Sequence, residues 1–246
     1  MLDDINETPY DPSMALIRNL VCEYIIFPLG SELVRKRFPE NVRSFLFYGP
    51  SGTGKTLVVR ACVYETNSVL FDMSPINIEG KYSAKKEEEK MVATVMVAAK
   101  EYQPAIIYID ECEKVWPAKK KGKKGKGGKK KKKSDPSNPA RIKKAMGKWR
   151  TKWIDDDTRI TIIGCMSEPE EASKKELKKF FDKSIYFPVP LYTTSRMMWK
   201  TFIEGLGGKL KQDFPLSTLA HISKGYSAGA IKKTCEKVLT PYRVTH

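Results

Sequence analysis

The residues best suited to chemistry form a glycine-rich stretch near position 50. Gly49, Gly54, Lys55 and Thr56 satisfy the spacing G-x-x-x-x-G-K-[ST]. The glycines let backbone N–H groups surround phosphates, and the helix that opens at Gly54 directs its dipole at them. We expect Lys55 to reach the β- and γ-phosphates and the Thr56 hydroxyl to bind Mg²⁺. The residues predicted to bind nucleotide are Gly49, Pro50, Ser51, Gly52, Thr53, Gly54, Lys55, Thr56 and Leu57.

A pair of acids follows a second apolar stretch. Residues 106–109, all apolar or aromatic, lead into Asp110 and Glu111, and Asp110 lies 55 residues after Lys55. The carboxyl end of a sheet strand is where open α/β folds bind their ligands. Asp110 is therefore predicted to hold a water of the Mg²⁺ shell, which makes Thr56 and Asp110 the metal site. Glu111 is predicted to polarise the attacking water.

Strand and helix patterns alternate around these residues. Strands are predicted over 44–49, 67–74, 104–111, 159–166 and 183–189, and helices over 12–29, 54–66, 84–102 and 138–154. This alternation predicts a parallel five-stranded α/β sheet with helices on both faces. After Pro190 three helices follow without a strand, over 193–204, 215–223 and 227–239. We expect a nucleotide-binding α/β domain over 1–190 and a small helical lid domain over 191–246.

The formal charge of +16 is unevenly distributed along the chain. Residues 119–133 hold 11 lysines, and removing them leaves 16 − 11 = +5. Such a charged, glycine-rich run is not expected to fold alone, so 117–137 is predicted to be a disordered insertion. Three roles stay open for it: solvation only, electrostatic docking onto an acidic protein surface, or binding to nucleic acid. No aromatic residue interrupts the lysines, which counts against base stacking.

Composition excludes several other classes of protein. The five cysteines form no CxxC pair, which is typical of reduced thiols. Of only two histidines one is the last residue, so a histidine-built metal site is not expected. No apolar stretch approaches the roughly 18–20 residues that span a bilayer. The acidic N-terminus lacks the pattern of a signal peptide. We expect a soluble intracellular protein.

Four segments together resemble the AAA+ ATPase module. They are "FLFYGPSGTGKT", "IIYIDE", "ITIIGCMSEP" and, at 225–231, "GYSAGAI", in the family's usual order. The resemblance implies the P-loop NTPase (AAA+) fold with a helical lid, binding of ATP or ADP with Mg²⁺, and activity that normally requires a homo-oligomeric ring. It also makes Ser227 the expected N-cap of a lid helix near the adenine.

The lysine-rich insertion and "SRMMWKTFIEGLGG" at 195–208 resemble one branch more narrowly. This branch is the IQ-motif-and-AAA-domain proteins, a subunit of the axonemal nexin–dynein regulatory complex. The resemblance implies a cytoplasmic, cytoskeletal location in the axoneme of cilia or flagella. It also implies partners among the other dynein-regulatory subunits, and makes microtubules the acidic surface that the lysine-rich loop would contact. Nucleic acid and membranes are disfavoured, and the chain is expected to be one module of a longer protein.

The chain departs from the family after the fourth strand. Active AAA+ modules carry arginines there that complete a neighbour's site, whereas "LKKFFDKS" (177–184) has Lys178 and Lys179. Lysine keeps the charge but lacks the planar fork of arginine. The family's polar sensor, usually Asn, falls at Ser167, whose side chain is shorter. Should the loop alignment be displaced, Arg159 or another chain's arginine would take the role.

The resemblance and these departures define the predicted chemistry. The catalytic set is Glu111, Ser167 and Lys179, and the expected activity is binding of Mg·ATP with weak or impaired hydrolysis, serving cytoskeletal assembly or the regulation of ciliary motility. The alternative is an active oligomeric AAA+ ATPase that remodels or severs a protein polymer such as microtubules. Tyr82 stays open between the aromatic tip of a pore loop and a solvated loop.

Overall fold

A computed structural model describes residues 11–37, 42–82, 87–118, 138–154, 157–240 and 242. From residue 119 onward the predicted insertion lies outside the described residues. The described residues pack as two compact units. The sheet unit comprises residues 20–48 and 56–185, and the helical unit comprises 11–19, 49–55 and 186–242. The predicted domain boundary after residue 190 stays a prediction.

The sheet unit is built on five strands. They are β1 (Ser44–Tyr48), β2 (Val69–Asp72), β3 (Ala105–Ile109), β4 (Ile160–Met166) and β5 (Lys183–Tyr186), in the spatial order β2-β3-β4-β1-β5. The pairs β1–β4, β2–β3 and β3–β4 are parallel. Every residue of β3 and β4 is buried, as continuous apolar runs predict for a covered parallel sheet. The predicted five-stranded α/β fold is confirmed.

The helices preceding and following these strands are of two kinds. The longer ones match the prediction. The first is continuous over three segments: α1 (Met14–Val21), a π-helical turn (Cys22–Ile26) and α2 (Phe27–Gly30). The others are α4 (Lys55–Thr66), α6 (Glu87–Glu101) and α8 (Ile142–Trp153). Four short ones were not predicted: α3 (Glu32–Arg37), α5 (Pro75–Ile78), α7 (Cys112–Val115) and α9 (Lys174–Phe180). Helices of four to seven residues show too few turns for a 3.6-residue period to be recognised.

The helical unit contains the three helices predicted for the end of the chain. They are α10 (Tyr192–Gly205), α11 (Leu216–Ile222) and α12 (Ala228–Val238). Their apolar faces meet around Trp199 and Ile231, and the indole N–H of Trp199 donates to the Ser223 hydroxyl at 2.9 Å. Ser227 is the N-cap of α12, and its hydroxyl accepts from the backbone N–H of Ala230, which confirms the predicted cap.

Among the helices that the structure describes, none combines the length and the apolarity needed to cross a bilayer.

Candidate functional site

The glycine-rich loop of residues 49–56, called the P-loop, has two positions whose backbone conformation and close contacts only glycine fits. Gly49 and Gly52 have φ of +148° and +79°, a region that L side chains rarely adopt. A Cβ on Gly49 would stand 2.2 Å from the carbonyl oxygen of Phe187, and one on Gly52 would stand 2.6 Å from the Ser227 hydroxyl. The Gly52 carbonyl also accepts from the N–H of Gly229 at 2.9 Å. The P-loop is therefore packed by backbone against the start of α12.

Lys55 lies inside the P-loop. Its side chain is buried, and its Nζ donates to the carbonyl oxygens of Gly49 at 2.7 Å and Pro50 at 2.8 Å. The hydroxyl of Thr53, also buried, donates to the same Pro50 carbonyl at 2.9 Å. A buried ammonium surrounded by loop backbone suits an anionic ligand. Leu57, predicted to contact nucleotide, is 71% exposed on α4.

The predicted metal ligands lie in the sheet unit, and a third side chain joins them. The hydroxyl of Tyr108 is 3.3 Å from that of Thr56, and it also interacts with the Asp110 carboxylate. Burial, followed by the neighbouring Cys165, raises the pKa of Tyr108 far above its usual value, so the phenol stays neutral. Because a carboxylate only accepts, the neutral phenol can donate to Asp110, in which case the Thr56 hydroxyl is the donor towards Tyr108.

Sequence reasoning missed Tyr108, although a signal was present. Residues two apart on a strand point to the same face, and Tyr108 lies two residues before Asp110. The backbone N–H of Asp110 donates to the Ser74 hydroxyl at 2.9 Å, and Asp72 in turn accepts from the N–H of Ser74 at 2.9 Å. The end of β3 is thereby tied to the end of β2.

The oxygens of Thr56 and Asp110 fit a magnesium ion. Mg²⁺ prefers hard oxygen ligands and usually takes one or two from protein, the remainder being water and substrate phosphate. Across the described part of the chain no group of three or more His, Cys, Asp or Glu could hold a metal. Two protein oxygens would leave room for water and phosphate around such a cation.

Glu111, the predicted base, has an unusual backbone. It lies in the left-handed region with φ 47° and ψ 50°, a conformation that costs a non-glycine residue about 1 kcal/mol or more. Its Oε2 pairs with Lys114 Nζ at 2.8 Å, and this hydrogen bond raises the pKa of Lys114. Strained residues cluster at functional sites, and this one directly follows Asp110.

Glu113 and Ser167 follow the ends of β3 and β4, and the backbone of Ser167 acts on the Glu113 carboxyl. Glu113, on α7, is 8% exposed and one of its carboxyl oxygens, Oε2, has no hydrogen-bond partner. Burial raises the pKa of Glu113, while the backbone N–H groups of Glu113 and Ser167 act to lower it. The sequence analysis named Ser167 as a candidate site residue but did not name Glu113. A glutamate in a short charged stretch is normally expected to be exposed to solvent.

The predicted finger region is a helix. Lys178 and Lys179 lie exposed on α9, whereas the sequence indicated a loop there. Arg159, the alternative, donates from Nε and Nη2 to the carbonyl oxygen of Leu29 at 2.9 and 2.6 Å, so it already has a structural partner. Tyr82 has φ +56° and is 43% exposed, while residues 83–86 of its loop lie outside the described residues.

Comparisons with known proteins give the family. Residues 45–189 match the model of the ATPase family associated with various cellular activities (AAA). The chain is 33% identical over 238 residues to mouse "Dynein regulatory complex protein 11", covering 95% of this chain and 26% of that protein. It is 29% identical over 220 residues to human "Spastin", covering 86% of this chain and 32% of that protein.

Solved structures agree on the fold. The crystal structure of the FIGL-1 AAA domain in complex with ADP superposes with a TM-score of 0.71 at 19% identity, over 92% of this chain and 70% of that one. The chain thus spans about a quarter to a third of its curated relatives' length. The resemblance drawn from the motifs is confirmed, and the chain belongs to the AAA ATPase family.

Proposed function

We propose that this chain is a nucleotide-binding AAA module that holds Mg·ATP, or ADP, and hydrolyses it weakly. The observation that carries the binding half is the P-loop itself. Its glycine φ values and the buried ammonium of Lys55 form a phosphate cradle, and the helix α4 begins at Lys55. In this proposal residues 49–57 bind the nucleotide, and Thr56 and Asp110 hold the metal.

A cavity in the helical unit is suited to the nucleoside. It has a volume of about 370 Å³ and is lined by residues including Pro190, Tyr192, Ser195 and Gly225, a size usual for small-molecule sites. Gly225 lies two residues before Ser227, which contacts the P-loop. Ser195 is 4% exposed with a hydroxyl that has no partner. An unsatisfied buried hydroxyl beside an apolar wall suits recognition of a base.

Three residues support weak turnover. Lys179 takes the place of an arginine finger, and such a finger contributes about 10³–10⁵ in rate in P-loop enzymes. Ser167 replaces a longer polar sensor, and the Glu111 carboxylate is paired with Lys114. Mg²⁺, when bound, would neutralise charge on the β- and γ-phosphates. Thr56 and Tyr108 would orient the Asp110 carboxylate, and Glu111 would accept a proton from water only after leaving Lys114.

The cellular setting is proposed from similarity. Identity with "Dynein regulatory complex protein 11" supports a role in the axoneme of cilia or flagella, as part of the cytoskeleton, with other dynein-regulatory subunits as partners. The lysine-rich segment 119–133 would add an electrostatic contact to microtubules. A homo-oligomer remains part of the proposal, because an AAA site is normally completed by a neighbouring subunit.

Phosphate release from Mg·ATP, measured over a wide range of protein concentration, tests the proposal. Glu111→Gln, which should retain ATP without cleaving it, supplies the blank. We expect nucleotide to bind and phosphate release to stay near the blank at all concentrations. A rate that climbs steeply with concentration and vanishes in Glu111→Gln would show that subunits complete one another's sites.

That second outcome would establish the other candidate, an oligomeric ATPase that remodels or severs a protein polymer such as a microtubule. The retention of Lys55, Asp110 and Glu111 favours it, since these are the residues that a working site requires. The departures at Ser167 and Lys179 would then be compensated by groups on a neighbouring subunit.

A further inference from the structure

A basic groove in the sheet unit includes Lys179, and its other lining residues have no role in the function proposed above. It has a volume of about 460 Å³ and lies between α8 and α9. Five cations and one carboxylate line it: Lys143, Lys144, Lys148, Arg150, Lys179 and Glu176. The lining therefore carries a net charge of +4, concentrated in a concave surface where the potential is focused.

The acids near this groove leave part of that charge unpaired. Lys143 pairs with Glu176, Lys148 with Glu89, and Arg150 with Asp182. Lys144 and Lys179 are exposed, and no carboxylate of the described chain lies within ion-pair distance of either. A surface that concentrates cations beyond its own acids attracts an anionic partner.

The glycine at position 147 supports a binding role for the same groove independently of its charge. It lies in the interior of α8, where glycine is a poor helix former compared with alanine or leucine. A Cβ at this position would meet nothing within 4 Å, so packing inside the chain does not require glycine. Gly147 lines the groove, and its missing side chain lets another backbone approach α8 closely.

The floor of the groove favours a peptide over a nucleic acid. Trp116 and Phe180 lie beneath it but are only 1% and 6% exposed, so neither ring offers a face for base stacking. Lys144 and Lys148 are four residues apart on α8, a rise of about 6 Å at 1.5 Å per residue. Alternate side chains of an extended peptide recur about every 6.6 Å, which matches that spacing.

We propose that the α8–α9 groove binds an acidic peptide segment in an extended conformation. Its carboxylates pair with Lys144 and Lys179, and one displaces Glu89 from Lys148, whose ion pair is solvent-exposed and therefore weak. The peptide backbone passes over Gly147. The proposal does not depend on nucleotide binding.

Fluorescence anisotropy with a labelled ten-residue oligoglutamate peptide tests it on the whole chain. Lys144→Glu reverses one charge in the groove, and Lys233→Glu makes the same change on the exposed face of α12, outside the groove. We expect Lys144→Glu to weaken peptide binding about tenfold and Lys233→Glu to weaken it by less than about twofold. Equal losses in both variants would overturn the proposal, because net charge alone would then account for the binding.

Gly147→Leu separates binding from stability. Leucine is the better helix former and has open space at this position, so the midpoint of thermal unfolding is expected to stay or rise. The same side chain fills the groove, and peptide affinity is expected to fall about fivefold or more. Unchanged peptide affinity would refute the groove as the site. Tighter binding of a ten-nucleotide single strand, lost in both Lys144→Glu and Gly147→Leu, would overturn the peptide in favour of nucleic acid.

Discussion

The hydroxyl oxygens of Thr56 and Tyr108 lie 3.3 Å apart, although 52 positions separate the two residues in the chain. The Asp110 carboxylate also interacts with Tyr108 and helps to raise the pKa of the phenol, and a neutral phenol can donate a hydrogen bond to a carboxylate. A single buried phenol thus contacts one predicted magnesium ligand, Thr56, and interacts with the other, Asp110. It acts as a positioning residue, because it prepares ligand oxygens and is not itself expected to contact the metal.

Replacing Tyr108 with phenylalanine removes this link and keeps the packing. We expect the Mg²⁺ concentration needed for half-maximal binding of a fluorescent ATP analogue to rise about fivefold, the effect of one lost hydrogen bond. Nucleotide binding in EDTA is expected to stay unchanged. The matched control is Tyr64→Phe on α4, where the ring is 84% exposed. An unaltered Mg²⁺ titration in Tyr108→Phe would remove Tyr108 from the site.

Lys55→Ala tests the phosphate cradle. The change removes an ammonium that donates to Gly49 and Pro50 at 2.7 and 2.8 Å. We expect the dissociation constant for Mg·ATP, measured by calorimetry, to rise about 10- to 100-fold, as for a lost charge-assisted contact. Lys200→Ala, at an exposed position of α10, should bind as the unmodified chain does. Equal affinities for both variants would mean that the nucleotide binds elsewhere.

Glu113 predicts a pH effect on stability. Burial raises its pKa in the folded state above the usual 4.5, so the folded chain holds this proton more tightly than the unfolded chain. The free energy of unfolding therefore falls as pH rises from about 4.5 through the folded pKa. Glu113→Gln removes this term. In urea unfolding, the stability of the variant relative to the unmodified chain should increase as pH rises across that window. A difference in unfolding free energy that does not change with pH would contradict the assignment.

Asp182 predicts a pH effect on stability of the opposite sign. Burial acts to raise its pKa, but hydrogen bonds from the Ser44 hydroxyl and Arg150 outweigh it, so the pKa lies below the usual 3.8. Its Oδ2 also accepts from the backbone N–H of Ser44 at 3.0 Å, which ties the start of β1 to the start of β5. The stabilisation is complete above about pH 3.8 and is lost as pH falls through the folded pKa.

Asp182→Asn measures that contribution. We expect the variant to lose about 2 kcal/mol of unfolding free energy at pH 7 and much less below the folded pKa. Asp213→Asn, at an exposed position, is the control and should change stability little. A loss that is as large in acid as at pH 7 would show that packing and not ionisation is responsible.

The fold was predictable where the pattern is local and long. The strands and the longer helices lie within a few residues of their predicted bounds, because apolar runs and 3.6-residue periods are carried by consecutive residues. The helix α9 was not predicted, since its seven residues, "KKELKKF", are mostly charged. Its two apolar positions, Leu177 and Phe180, are buried beside Trp116 in the core, and only this packing makes the segment helical.

The sequence by itself determined the P-loop, the acid pair after β3, and membership of a family whose motifs follow one another in a fixed order. These follow from residue types at fixed spacing, and glycines at that spacing are enough to give the loop its backbone conformation. The tertiary structure decided which distant side chains meet: Tyr108 with Thr56, Glu113 with the Ser167 backbone, and Lys179 with α8. These contacts depend on the strand order β2-β3-β4-β1-β5, and strand order arises from packing between segments that no local pattern records.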